Sequence, residues 1–133
     1  MRRLFVDTSG WFSLADEADS NFSLAVRFFK ANTLPLVTTN YIFSETITLM
    51  THRLGHKQAI EFGDRLLSSG SILFYMAKEE DEFRAWEYFK KHSDKKYSYT
   101  DCMSFAVMKK LEIKEAFSFD RHFSQAGFKM LPG

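Results

Sequence analysis

Two segments of the chain run apolar and then stop on an aspartate: Phe5-Val6-Asp7 and Phe117-Ser118-Phe119-Asp120. A third acid, Asp101, follows Tyr97-Ser98-Tyr99-Thr100 and opens a stretch that is apolar on most of its surface when read as a helix. A fourth, Glu45, is embedded in Tyr41-Ile42-Phe43-Ser44-Glu45-Thr46-Ile47. Taken singly, each acid has an ordinary structural explanation: a turn residue after a strand, a helix cap, or a solvated helix edge. Taken together they describe a site. Carboxylates brought within ~4–6 Å repel and raise each other's pKa, so three or four of them stay anionic only around a cation. Oxygen donors that need neither Cys nor His suit Mg²⁺ or Mn²⁺. A divalent ion held this way supports hydrolysis of a phosphodiester, by lowering the pKa of a bound water and neutralising charge on the phosphate.

Such a site needs elements that bring distant acids to one place. Leu4-Phe5-Val6 reads as a buried strand, and Thr8-Ser9-Gly10 as a turn or helix start. Asp19-Ser20-Asn21 can cap a helix in which Phe22, Ala25, Val26 and Phe29 recur at helical spacing. Pro35 to Thr38 is a second strand. Thr39 or Asn40 then caps a helix that Gly55 ends. Residues 57–69 form a further helix, and Ser71 to Tyr75 a third strand. Lys78 to His92 is acidic at its start and basic at its end, as a helix dipole favours, and carries one stripe of Phe83, Trp86 and Phe89. After a short extended piece at 97–99, the apolar helix from Thr100 to Leu111 reads as central. Ala116 to Phe119 is a strand, and Phe128 to Leu131 a last edge strand. Alternating strands and helices predict an α/β domain whose central sheet is mainly parallel and covered on both faces. In such sheets ligands sit beyond the carboxyl ends of the strands, where Asp7 and Asp120 both fall.

Composition narrows the classes. The 133 residues fit a single domain spanning 1–133, and a chain of this size buries roughly two thirds of its unfolded surface. Fifteen Phe point to a core built on aromatic rings. No apolar run approaches the ~20 residues of a membrane helix, and the apolar stretch after Arg2-Arg3 is too short for a signal peptide. One cysteine, Cys102, leaves no internal disulfide and no Cys-rich zinc site, so a cytoplasmic setting is expected. A net charge of +1 describes no polybasic coat, although a local basic rim is compatible with nucleic acid.

At these residues the chain resembles a PIN domain, and within that superfamily the VapC-type toxins of prokaryotic toxin–antitoxin pairs. The resemblance spans the chain. It rests on Phe5-Val6-Asp7-Thr8-Ser9, on Thr38 to Thr46 around Glu45, on Tyr97 to Ala106 around Asp101, and on Ala116-Phe117-Ser118-Phe119-Asp120-Arg121-His122-Phe123. It implies a PIN-like α/β/α sandwich and a Mg²⁺- or Mn²⁺-dependent endoribonuclease. Asp7, Glu45, Asp101 and Asp120 match the family's four acids, as metal ligands and catalytic residues, so nothing in the motif suggests an inactive member. Thr8, Ser9 and Ser98 match hydroxyl positions that support the pocket. The reading implied is in-line hydrolysis that displaces the 3′ oxygen and leaves a 5′ phosphate. The resemblance also implies structured RNA such as tRNA or rRNA as substrate, a small antitoxin protein as partner, and a homodimer. The segments Ser98 to Ala106 and Phe119 to Phe128 look similar to the subgroup that acts on the sarcin–ricin loop of large ribosomal RNA.

Other residues are less informative. Arg121, His122, Arg53, Lys95 and Lys96 are candidates for RNA phosphate contacts, each equally compatible with plain solvation. His52 and His56 have metal-pair spacing, but Gly55 ends the helix between them, which reads as a surface coincidence. Trp11, Phe12, Phe22 and Phe29 are either core or an apolar groove for an antitoxin segment. Cys102 reads as a buried structural thiol. The alternatives are a PIN nuclease of RNA processing or quality control, a non-catalytic PIN binding module, and a phosphoacceptor domain of the receiver type. The last wants adjacent acids after the first strand, where this chain has Asp7-Thr8-Ser9. The glycines form no P-loop, which excludes a nucleotide enzyme of that kind.

Overall fold

Short apolar segments stopped by acids, hydroxyl residues or glycines become strands, and the amphipathic segments between them become helices. The computed structural model describes residues 2–133. The order is β1 (Leu4–Val6), α1 (Thr8–Ala15), α2 (Phe22–Ala31), β2 (Leu36–Thr39), α3 (Asn40–Leu54), α4 (His56–Ser68), β3 (Ile72–Tyr75), α5 (Glu79–Lys91), α6 (Tyr99–Lys110), β4 (Glu115–Phe117), α7 (His122–Gln125) and β5 (Lys129–Leu131).

The five strands form one sheet in the order β3-β2-β1-β4-β5, and every pairing is parallel. Leu4 stands opposite Leu36 on one side and Glu115 on the other. Every residue of β1, β2 and β4 is buried. Successive strand residues face opposite sides, so helices cover both faces of the sheet centre. The chain winds outward from β1 to β3 and then returns to place β4 on β1's free side. This is the switch of direction beside which open α/β sheets build their sites.

The many phenylalanines account for the interior. Phe5, Phe105, Phe117 and Phe123 are fully buried. Phe105 meets Phe123 edge-on at 5.2 Å, Phe5 lies 6.2 Å from Phe123, and Phe28 packs on Phe117 at 5.0 Å. Such pairs contribute about 0.5–1.5 kcal/mol each beyond the area they bury. They tie β1, β4, α2, α6 and α7 into one core. Helix α6 is central, with Cys102 to Phe105, Val107 and Met108 all buried.

Local signals set the boundaries. Thr39 Oγ1 accepts the Ile42 N–H at 3.1 Å and opens α3, and Gly55, at φ +102°, separates α3 from α4. Gly10 has a different role: a Cβ there would sit 2.5 Å from the Phe117 carbonyl oxygen. Its missing side chain lets α1 lie directly against β4. Residues 8–10, expected as a turn or helix start, begin a helix that runs to Ala15 and buries Trp11 and Phe12. The stripe on α5 does not enter the core: Phe83, Trp86 and Phe89 are 67%, 51% and 40% exposed.

Candidate active site

The sheet topology delivers the four acids to one edge. Asp7 is the residue after β1 and Asp120 stands three past β4. Glu45 lies in the second turn of α3, directly after β2, and Asp101 lies in the first turn of α6.

Asp7 is the deepest. Its Oδ2 accepts the hydroxyls of Ser9 and Ser118, each at 3.0 Å. Ser9 Oγ in turn accepts the Phe119 N–H at 2.9 Å, and the Asp7 N–H donates to the Phe117 carbonyl at 3.1 Å. The carboxylate is thus clamped between the β1–α1 junction and the end of β4. Burial pushes its pKa up to about 7; the two hydroxyls and the Thr8 N–H oppose the rise without cancelling it, and nearby Asp101 adds to it.

Asp101 is both helix cap and pocket acid. Ser98 Oγ accepts the Asp101 N–H and Asp101 Oδ2 accepts the Ser98 N–H, both at 3.0 Å, a reciprocal capping box. The same Oδ2 lies 2.8 Å from His122 Nδ1. Burial raises the Asp101 pKa, the Ser98 N–H and His122 lower it, and Asp120 raises it again. Asp120 Oδ1 accepts the His122 N–H at 2.9 Å and sits 3.4 Å from the ring Nδ1. Asp101, Asp120 and His122 present ligand atoms within 4.8 Å of one another. Glu45 is exposed and joins from the side, taking the Thr8 hydroxyl at 2.5 Å.

Thr8, Ser9 and Ser98 therefore each bond one of the four acids. Of the basic candidates, His122 is inside the cluster and packs edge-on to Tyr97 at 5.3 Å. Arg121 is exposed beside Asp120, and Lys95 and Lys96 are exposed in the loop that leads into α6. Arg53 is placed elsewhere, two turns beyond Glu45 on α3, with its guanidinium 5.6 Å from the Phe12 ring centroid. His52 and His56 are exposed, and Cys102 is buried. Sequence reasoning did not single out Ser118. Its signal was a lone hydroxyl in an aromatic strand, two residues before an acid.

Chemically, a half-open pocket with buried acids of raised pKa disfavours its own anionic form. A cation among the carboxylates removes that penalty, and the donors are mostly carboxylate oxygens with one imidazole in reach. That set fits a hard or borderline divalent ion.

Comparison with known proteins agrees with this architecture. Residues 4–129 match the family described as PIN domain. The chain is 36% identical over 125 residues to the 23S rRNA-specific endonuclease VapC20 of Mycobacterium tuberculosis, covering 94% of this chain and 95% of that protein. It is 32% identical over 118 residues to the VapC ribonuclease of Archaeoglobus fulgidus, covering 86% and 73%. Among solved structures, Mycobacterium tuberculosis VapC20, a sarcin–ricin loop cleaving toxin, superposes with a TM-score of 0.90 at 34% identity, covering 94% of this chain and 95% of that one. FitAcB of Neisseria gonorrhoeae shares the fold, with a TM-score of 0.67 at 17% identity over 96% and 95% of the two chains. The chain belongs to the PIN-domain family, on the branch that holds the VapC ribonucleases.

Proposed function

We propose that this chain is a divalent-metal-dependent endoribonuclease of the toxin type, acting on large-subunit ribosomal RNA and restrained by a small antitoxin. The observation that carries the reading is the cluster of Asp101, Asp120 and His122 with buried Asp7 close to Asp101, in a chain similar over 94% of its length to a 23S rRNA-specific endonuclease; Glu45 joins only through Thr8. The presence of all four acids of the motif favours a nuclease over a non-catalytic module. A nuclease of RNA processing would use the same pocket and differ in its partners.

Asp7, Asp101, Asp120 and Glu45 would hold Mg²⁺ or Mn²⁺, which when bound neutralises charge at the scissile phosphate and lowers the pKa of a bound water. The rest of the work falls to the chain's own groups. Ser9 and Ser118 orient Asp7, the Ser98 N–H and His122 orient Asp101, and Thr8 orients Glu45. Arg121, Lys95 and Lys96 offer exposed cations for the RNA backbone. Hydrolysis in line then leaves a 5′ phosphate and a 3′ hydroxyl. Purified protein incubated with ribosomal RNA is expected to give discrete fragments with Mg²⁺ or Mn²⁺ and none with EDTA. Fragment ends outside the sarcin–ricin loop would discard that substrate, and no fragments with either metal would discard the nuclease.

Two surfaces support the partners. A cavity of about 550 Å³ opens between α1, α2, α3 and α4, lined by Trp11, Leu14, Phe29, Met50 and Phe62 with Glu61 and Arg65 at its margin. It suits an apolar antitoxin segment flanked by charges of either sign. The exposed α5 stripe of Phe83, Trp86 and Phe89 suits a second copy of this chain. Size-exclusion chromatography is expected to show a dimer, and Trp86→Glu a monomer. An unchanged elution volume for that variant would remove α5 from the interface. Among the described residues no helix is long and apolar enough to cross a membrane, and action on ribosomes would place the protein in the cytoplasm.

A further inference from the structure

Three helices, two of them bearing pocket acids, meet at one carboxylate outside the pocket. Glu82, in the first turn of α5, accepts the Tyr99 hydroxyl on Oε1 at 2.8 Å and the Tyr41 hydroxyl on Oε2. The Tyr99 hydroxyl also lies 3.2 Å from the Glu82 carbonyl. The two rings meet edge-on at 5.9 Å. Both tyrosines lie on the helices that carry pocket acids. Tyr41 and Glu45 are four residues apart on α3, hence on one face. Tyr99 opens α6 two residues before Asp101. Among the described residues no lysine or arginine pairs with Glu82, and the two tyrosine hydroxyls are its side-chain hydrogen-bond partners.

We propose that Glu82 is a positioning residue that, by holding Tyr41 and Tyr99 on its two oxygens, sets the spacing between the helix bearing Glu45 and the helix bearing Asp101. The inference rests on the nuclease reading for its kinetic readout, and on the pocket geometry alone for its metal readout. Burial and the Glu82 carboxylate hold both phenols protonated, Tyr41 pushed up to about 12 and Tyr99 also raised, so both stay donors across the working range. The two rings also pack directly on each other, and among the described residues Glu82 supplies the side-chain hydrogen bonds that join α3 to the start of α6. Displacing a ligand-bearing helix by ~1 Å is enough to cost about 10²-fold in rate. Loss of an outer partner of a metal site typically costs about 10–100-fold in metal affinity.

The test compares the full-length chain with Glu82→Ala, Glu82→Gln and the double variant Tyr41→Phe with Tyr99→Phe. Each is measured for cleavage of a ribosomal RNA fragment, for Mn²⁺ affinity by titration calorimetry, and for melting temperature. Glu82→Ala is expected to lower kcat roughly 10–100-fold and weaken Mn²⁺ roughly tenfold, with KM for RNA unchanged. Glu82→Gln, whose amide oxygen still accepts a hydroxyl, is expected to recover most of both. The double variant keeps the rings and loses only the hydroxyls, so it reproduces the Glu82→Ala loss in a folded protein even if Glu82→Ala does not fold. A double variant or Glu82→Ala that melts lower but keeps wild-type kcat and Mn²⁺ affinity overturns the proposal. Wild-type protein that cleaves no RNA refutes the nuclease reading, and the Mn²⁺ comparison then decides the positioning role alone.

Discussion

Asp7→Asn is expected to reduce RNA cleavage by about 10³-fold or more and, at the same time, to make the metal-free protein more stable at pH 8. The first effect follows from charge. Asn keeps the size of Asp7 and an oxygen to accept the Ser9 and Ser118 hydroxyls, so the clamp geometry survives. It cannot supply the anionic donor that a divalent ion needs. Several kcal/mol of transition-state stabilisation go with it, and each 1.36 kcal/mol is a factor of ten. The second effect has the opposite sign and the same cause. A carboxyl pushed from 3.8 to about 7 by burial is an unfavourable anion. Removing that charge is worth up to about 4 kcal/mol above pH 7, on the order of 1.36 kcal/mol for each displaced pKa unit. Single-turnover cleavage beside thermal melting in EDTA checks both. A variant that cleaves normally would refute the catalytic assignment, and one that is less stable at pH 8 would refute the burial argument.

The second large effect is on pH. The folded pKa of Asp7 lies above its unfolded value, so the folded state keeps a proton that the unfolded chain releases. Its stabilisation is full below about pH 4 and is lost as pH rises through about 7. Asp101 is raised in the same direction. Asp81 and Glu115 are lowered, Asp81 by the Lys78 N–H, Tyr75 and Lys110 acting against its burial, and Glu115 by Arg2. Their contribution is lost only in acid, below the ordinary carboxylate range. Between pH 5 and 8 the pocket therefore dominates. In EDTA the melting temperature is expected to fall across that window, as the unfolding free energy drops by about 1.4 kcal/mol per pH unit for each proton released. Saturating Mg²⁺ or Mn²⁺ is expected to flatten the slope, because a cation that binds only the folded anionic pocket stabilises it by mass action. Asp7→Asn is expected to flatten it without metal. A slope that neither metal nor the variant changes would place its origin outside the pocket.

Much of this was legible because the strands are short and abruptly stopped. Leu4-Phe5-Val6 ends on Asp7, so the polar residue after that run marks both an element boundary and a site position; the strand expected over Ala116 to Phe119 ends sooner, at Phe117, which leaves Ser118 and Asp120 beyond it. Asp101 shows the limit of asking whether a residue is structural or functional: the side chain that closes the capping box with Ser98 is the one that faces His122. The order β3-β2-β1-β4-β5 was not readable, since runs this short and this apolar carry no information about neighbours. Ser118 could be reached only through that order, because its bond to Asp7 exists only when β4 lies beside β1. The exposed α5 stripe has the same period as a core face, and periodicity cannot tell a face turned to the core from one turned outward. Glu82 was hidden for a related reason: its partners lie on two other helices, 41 and 17 residues away.

The central position of β1 has a consequence for biosynthesis. β1 pairs on one side with β2, close in sequence, and on the other with β4, far along the chain: Ser118 meets Asp7 across 111 residues of sequence. Until β4 emerges, Asp7 has neither the Ser118 hydroxyl nor the strand that its own N–H bonds. Asp120 follows β4, so the fourth acid is also among the late arrivals. A nascent chain that still lacks β4 thus exposes Asp7 without a pocket. The pocket is closed by sequence-distant pairing: Ser118 and Asp120 join Asp7 only once β4 has paired with β1.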